Sequence, residues 1–215
     1  MEFLIILKKY INEAGFSAYF TIGNGIFCIF LTLDRITYLF FTLKPLTEEI
    51  LSDIQKKILN REYNTVLQIC NMAKNNPQLS IIKSGILSID GGREAVKSAL
   101  GASLVKLTTE CEKRVNLLGL TASVATLLGL LGTITGLIST FKAIEVADAS
   151  AKAAKLSSGI SEAMYSTAAG LIIGVAAMVA HAVVTTKIEE ITSEAQHTGY
   201  IFVSNLEKSE KVEGP

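Results

Sequence analysis

Leu117–Phe141 reads LLGLTASVATLLGLLGTITGLISTF and lies within an uncharged run from Val115 to Phe141. As an α-helix rising about 1.5 Å per residue, this run is long enough to cross the roughly 30 Å hydrocarbon layer of a bilayer. Its small residues recur in alternating steps of three and four and so share one stripe of the helix: Gly119, Ala122, Thr126, Gly129, Thr133, Gly136 and Thr140. Such a stripe admits a close backbone and offers hydroxyl hydrogen bonds within the membrane. We therefore predict a spanning helix that faces protein or a polar path.

The composition indicates that the whole chain is an all-α integral membrane protein. Of 215 residues, 49% are hydrophobic, the mean hydropathy is +0.42, and Gly (16) is far commoner than Pro (3), as in tightly packed membrane helices. The zero net charge gives no indication of a nucleic-acid partner. Cys28, Cys70 and Cys111 are isolated, with no metal-ligand or CxxC spacing, so we expect free thiols, no metal and no cofactor.

Two further spans are predicted, and a large polar region separates the first span from the central one. Residues 1–14 predict an amphipathic helix on the membrane surface, with Phe3, Leu4, Leu7 and Ile11 on its apolar side. The apolar run before Lys8 is too short for the core of a signal peptide. Residues 15–43 form the first predicted span. Asp34 and Arg35 mark its aqueous end, where an ion pair that closes the helix is favoured over a transport role.

Residues 44–114 predict a region of helices outside the membrane. Apolar residues recur at helical spacing, with breaks at Asn75-Asn76-Pro77 and at Gly91-Gly92. From Arg93 onward no breaker precedes the central span, which predicts one uninterrupted helix into span two, residues 115–142. A short loop, residues 143–158, precedes span three at 159–186, and the tail, 187–215, continues that helix to a charged disordered end.

The distribution of basic residues predicts the orientation. Residues 44–116 hold eleven Lys and Arg, whereas the loop at 143–158 holds only Lys152 and Lys155. By the positive-inside rule the large region and the carboxyl terminus are cytoplasmic, while the loop and the amino terminus are outside.

The third span, GISEAMYSTAAGLIIGVAAMVAHAVVTT, carries the candidates for chemistry. Its own small-residue stripe consists of Ala163, Thr167, Gly170, Gly174, Ala177 and His181. Glu162 is the only acidic residue of this span, and a carboxylate there is costly unless it is paired or protonated. It either exchanges protons or lies in the first helical turn at the outer surface, stabilised by the helix dipole; the residues alone leave both open.

The hydroxyl groups of the second and third spans can be interpreted either as a proton relay or as hydrogen bonds that only join the helices. Thr133 and Thr167 lie at compatible depths in antiparallel helices, where hydroxyls hold water or join helix to helix. Ser166 and His181 are secondary relay candidates, and His181 is better interpreted as an interfacial anchor. The glycines Gly119, Gly129, Gly136, Gly170 and Gly174 are assigned to helix packing.

LLGLLGTITGL followed by GISEAMYSTAAGLIIG resembles the paired signature of the MotA/TolQ/ExbB proton-channel family, and the order of three spans resembles its ExbB/TolQ branch. The resemblance implies a multi-pass protein of the bacterial inner membrane that forms a ring, a pentamer, around a dimer of a single-span ExbD/TolR-like partner whose membrane Asp carries the proton. A TonB/TolA-like or other envelope effector would receive the work. Within that pattern Thr133, Glu162 and Thr167 match pathway residues.

This chain departs from the family pattern by having Thr126 and Ala176 where many members have proline, which predicts less helix bending.

From the resemblance and the candidate residues, the chain is interpreted as a motor subunit driven by the proton motive force, and not as an enzyme. The alternative is a helix-packing scaffold that conducts no ions. A small-solute permease is disfavoured because no inverted repeat is present.

Overall fold

The structure, a computed structural model, describes residues 15–43, 46–72 and 75–211, and within these ranges it contains helices and no strand. Three stretches are long and apolar enough to cross a membrane, namely Tyr19–Thr42, Ile89–Glu145 and Ala149–Ser209. The all-helical fold with three membrane spans is therefore confirmed. The amphipathic helix predicted for residues 1–14 lies outside the described residues. The disordered end is predicted for the charged stretch EKSEKVEGP, residues 207–215; residues 207–211 are helical instead, and residues 212–215 lie outside the described residues.

The helices follow the predicted order along the chain. They are α1 (Gly15–Ile36), a π-helical turn (Thr37–Thr42), α2 (Glu48–Leu59), α3 (Tyr63–Met72), α4 (Pro77–Leu87), a 3-10 turn (Ile89–Gly91), α5 (Gly92–Glu112), α6 (Val115–Glu145) and α7 (Ala149–Lys211). The sequence explains why α4 begins where it does. The Asn76 side chain accepts a hydrogen bond from the Leu79 backbone N–H at 3.0 Å, and Pro77 occupies the first turn, where no backbone donor is needed.

The prediction that the helix from Arg93 runs unbroken into the central span is wrong. The chain turns at Lys113 and Arg114, and Arg114 has φ 66°, in the left-handed region that costs a residue with a Cβ about 1–2 kcal/mol. Neither Gly nor Pro is present at this break. Arg114 donates to the Asp34 carboxylate at 3.2 Å, so a tertiary ion pair involves the residue at the break.

The connection between spans two and three is also more helical than predicted. Only residues 146–148 lie outside a helix, whereas a loop is predicted over 143–158. The Asp148 carbonyl accepts from the backbone N–H groups of Ala151 and Lys152 at 2.9 and 3.2 Å, which begins α7. The Ala-rich stretch that follows has high helix propensity and no breaker.

The chain divides into two compact units. The spanning unit contains residues 15–34 and 114–183 of the described chain, and the extension unit contains the remaining described residues, 35–113 and 184–211. The extension unit has an apolar core in which Ile54, Ile58, Val66 and Phe202 are almost fully buried. The Arg61 guanidinium donates to the Ser209 carbonyl at 3.1 Å, and Arg93 forms an ion pair with Glu207, so α7 residues 184–211 belong to this packed domain.

Candidate functional site: the packed seam of the second and third spans

The small-residue stripe of α6 packs against the small-residue stripe of α7 in the spanning unit. A Cβ atom placed on Gly170 would lie 2.6 Å from the Ala125 carbonyl oxygen and 2.7 Å from the Gly129 Cα. A Cβ on Gly136 would lie 3.2 Å from the Ala163 Cβ. The backbones therefore approach as closely as glycine permits, which is the arrangement that small residues favour between membrane helices.

The contacts continue along the same seam toward residue 119. A Cβ on Gly174 would lie 2.7 Å from the Thr126 hydroxyl oxygen, and one on Gly119 would lie 3.3 Å from two atoms of the His181 ring. As residue numbers rise on α6 they fall on α7, so the two spans are antiparallel. All five glycines assigned to packing thus take part in contacts between α6 and α7 of a single chain.

Thr133 and Thr167 meet at the middle of this seam. The Thr167 hydroxyl lies 3.4 Å from the Thr133 hydroxyl oxygen and 3.2 Å from the Gly129 carbonyl oxygen, with geometry suited to donation to either acceptor. The Thr133 hydroxyl in turn donates to the Leu130 carbonyl at 2.6 Å. Both side chains are half-buried. Their oxygens form a short hydroxyl chain across the helix interface, in a region where lipid supplies no hydrogen bonds.

Glu162 lies on α7 between this hydroxyl pair and the connection to α6. It precedes Thr167 by five residues, about 7.5 Å along a helix, and is half-buried. The next residue, Ala163, is buried against Gly136. Glu162 therefore directly precedes a residue of the packed part of the span.

Ser166 and His181 have different positions relative to this pair. Ser166 is buried, 1% exposed, directly beside Thr167. His181 lies about 21 Å further along α7 than Thr167, at the position of Gly119 on α6. It lines a groove of about 510 Å³ together with Ser123 and Thr126. The structure therefore brings Ser166 into the neighbourhood of Thr133 and Thr167 but does not bring His181 there.

Two tertiary contacts of α1 were not specified by the sequence interpretation: one is to α6, and the other is to Arg114, directly before α6. The Asn24 side-chain amide donates to the Thr121 carbonyl at 2.9 Å, and Asp34 pairs with Arg114. An amide inside an apolar span is a signal that could have located the first contact, since it requires a partner there. Among the residues that the structure describes, no group of three or more His, Cys, Asp or Glu side chains is placed to hold a metal ion.

Residues 73–197, more than half of the chain, match the sequence profile of the MotA/TolQ/ExbB proton channel family. The chain belongs to this family. The matched range contains all of α6 and the part of α7 that forms the seam, so this member carries Thr133, Glu162 and Thr167 within the family region. The resemblance that the sequence indicated is confirmed, and the family is one of proton channels rather than of enzymes.

Two curated relatives support the ExbB branch. The biopolymer transport protein exbB1 of Vibrio cholerae serotype O1 is 33% identical over 102 residues, 47% of this chain and 45% of that protein. The putative biopolymer transport protein ExbB-like 1 of Synechocystis sp. is 38% identical over 87 residues, 40% of this chain and 34% of that protein. The chain aligns with less than half the length of each relative. Family and apolar helices together indicate a multi-pass inner-membrane protein.

Proposed function

We propose that this family member is the channel subunit of an ExbB/TolQ-like inner-membrane motor that converts proton motive force into mechanical work. The observation that carries the proposal is the contact between the Thr133 and Thr167 hydroxyls across the α6–α7 seam, at 3.4 Å, with Glu162 on α7 about one and a half turns nearer the connection to α6. A carboxyl group inside a span is costly unless it is paired or protonated, and ionisable groups within spans commonly mark ion pathways.

The proposed assembly follows the family pattern. Five copies form a ring around a dimer of an ExbD/TolR-like single-span partner whose membrane Asp carries the proton, and a TonB/TolA-like or other envelope effector receives the work. Proton entry past Glu162 neutralises the partner's Asp, weakens its hold on one polar site, and lets the ring step relative to the dimer. One charge that crosses 100 mV supplies about 2.3 kcal/mol, enough to release a polar contact of ordinary strength.

The two missing prolines bear on how the spans move in this mechanism. α6 continues helically through Thr126, whose hydroxyl donates to the Ala122 carbonyl at 3.3 Å, and α7 continues through Ala176. Without a proline kink at either position, the two spans move as straighter units during a step. The carboxylate of Glu162 favours protons over sodium as the coupling ion.

The test compares Glu162→Gln with the native complex in proteoliposomes that also contain the partner. Glutamine keeps the size and most hydrogen bonding of the side chain but does not titrate, so the complex should assemble while proton flux falls by roughly tenfold or more. Glu145→Gln is the matched control, since it removes an exposed carboxylate at the end of α6. Flux is measured with an internal pH-sensitive dye, and assembly by mass in detergent.

The tight glycine contacts of the seam also suit the second candidate function, a helix-packing scaffold without ion conduction. In that case Glu162 is an interfacial group, and an intact Glu162→Gln complex keeps full flux and full cellular output. That result would remove Glu162 from the mechanism.

A further inference from the structure

The hydroxyl group of Ser166 is buried and, among the residues that the structure describes, has no hydrogen-bond partner. Other hydroxyls of the spanning unit donate to a carbonyl one turn back, as Thr126 does to Ala122 and Thr140 does to Gly136. The corresponding acceptor for Ser166 is the Glu162 carbonyl, four residues earlier. Ser166 does not use it, unlike the hydroxyls that bond to their own helix backbone.

The surroundings of Ser166 connect it to the proposed proton path. It follows Glu162 by four residues and therefore shares a face of α7 with it. Its own carbonyl oxygen lies 3.2 Å from the position of a Cβ on Gly129, the residue whose carbonyl accepts from Thr167. Ser166 thus lies between Glu162 and Thr167 along the chain, and its backbone carbonyl is on the side of α7 that packs against α6.

A buried hydroxyl without a partner is destabilising, whereas alanine would fill almost the same volume at no such cost. Buried polar groups left without a protein partner are commonly satisfied by an internal water molecule. We infer that the Ser166 hydroxyl holds a water molecule in the α6–α7 seam, and that this water extends the Thr133–Thr167 contact toward Glu162. Ser166 acts here as a positioning residue, and the inference rests on the proposed function.

The test is Ser166→Ala in the assembled complex, with two measurements. If the hydroxyl holds a pathway water, proton flux falls several-fold and the thermal unfolding midpoint does not rise, because the variant loses a satisfied polar site. If the hydroxyl is simply an unsatisfied group, its removal raises the midpoint and leaves flux unchanged. Either a raised midpoint or an unchanged flux would overturn the inference.

Two further variants keep the result decisive. Thr121→Val removes a buried hydroxyl that is already satisfied by the Leu118 carbonyl at 2.7 Å, away from Glu162, and it should leave flux unchanged. Should Ser166→Ala fail to assemble, Ser166→Cys keeps a similar shape with a weaker donor and must show a partial loss of flux. If Glu162→Gln loses flux and Ser166→Ala keeps it, only this inference is contradicted. If Glu162→Gln keeps full flux, the proposed function itself is contradicted.

Discussion

A hydroxyl inside a spanning helix has to find its hydrogen bonds within the protein, since lipid offers none. Thr133 donates to the Leu130 carbonyl of its own helix, and its oxygen remains able to accept from Thr167 across the seam. This residue therefore combines a local bond with a tertiary one. A hydroxyl that both donates and accepts is also the minimum requirement for holding a pathway water.

Thr133→Val and Thr133→Ser separate the hydroxyl from the shape of the side chain. Valine keeps the branched shape and removes both bonds, so proton flux through the assembled complex should fall by roughly tenfold or more. Serine keeps the hydroxyl, and much of the flux should survive. Flux is measured beside the mass of the complex in detergent. If Thr133→Val reduces assembly but leaves the flux of each assembled complex unchanged, the scaffold function is favoured.

Cys70 illustrates how burial alone controls reactivity in the extension unit. The side chain is 5% exposed, and desolvation raises the pKa of its thiol from 9.0 to about 11. The folded thiol therefore keeps its proton between pH 9 and about 11, where the unfolded thiol loses it, so its contribution to folding stability declines as pH rises through this window.

We expect alkylation of Cys70 in the folded protein to be slow at pH 8 and to accelerate up to pH about 11. The control is Met72→Cys in a Cys70→Ser background, because Met72 is 84% exposed near the end of the same helix. Its thiol should react rapidly and level off near the ordinary thiol pKa. Equal rates for the two thiols at pH 8 would contradict the burial argument.

Among the helical elements, α6 and α7 depend on each other through glycine. Gly170→Ala places a methyl group against the Ala125 carbonyl and the Gly129 Cα, atoms of backbone that cannot rotate aside. Overpacking of this kind costs typically about 1–3 kcal/mol, so the variant should lower the thermal midpoint of the protein. Gly23→Ala is the control, since a Cβ there meets nothing within 4 Å. Equal thermal midpoints for Gly170→Ala and Gly23→Ala would mean that the seam accommodates the added methyl group without loss of stability.

The seam shows which parts of this fold and site the sequence predicts and which it does not. Two stripes of small residues, one on each helix, indicate close packing on their own, and the compatible depths of Thr133 and Thr167 anticipate their contact. The stripes do not say whether their partner lies in the same chain or in a neighbouring copy. That requires the structure, in which Gly129 and Gly170 of one chain face each other.

The break between α5 and α6 was unpredictable for a physical reason. Lys113 and Arg114 are ordinary helix formers, and local propensity favours continuation. Arg114 has a left-handed conformation and forms an ion pair with Asp34, a residue 80 positions earlier that local propensity does not take into account. The sequence likewise gives no sign that the Ser166 hydroxyl has no partner among the described residues, because membrane serines usually bond to their own helix.

For the molecule as a whole, the distribution of basic residues predicts its orientation in the membrane. The structure divides the chain into a spanning unit and an extension unit, and the eleven Lys and Arg of residues 44–116 fall almost entirely in the extension unit. By the positive-inside rule we expect this unit to be cytoplasmic. The three native cysteines are free but buried, so they are poor reporters of the side on which they lie.

Orientation is best tested with exposed cysteines in a variant whose three native cysteines are replaced by Ala. Met72→Cys reports on the extension unit and Val146→Cys on the connection between spans two and three; the native side chains at both positions are 84% exposed. We expect a small impermeant thiol reagent to label Val146→Cys in intact cells and Met72→Cys only after the inner membrane is permeabilised. Because exposure is equal at the two positions, a difference in labelling reports the side of the membrane and not accessibility within the protein. The reverse pattern would invert the orientation and place Glu162 at the cytoplasmic end of its span, and the proposed direction of proton entry would then be wrong.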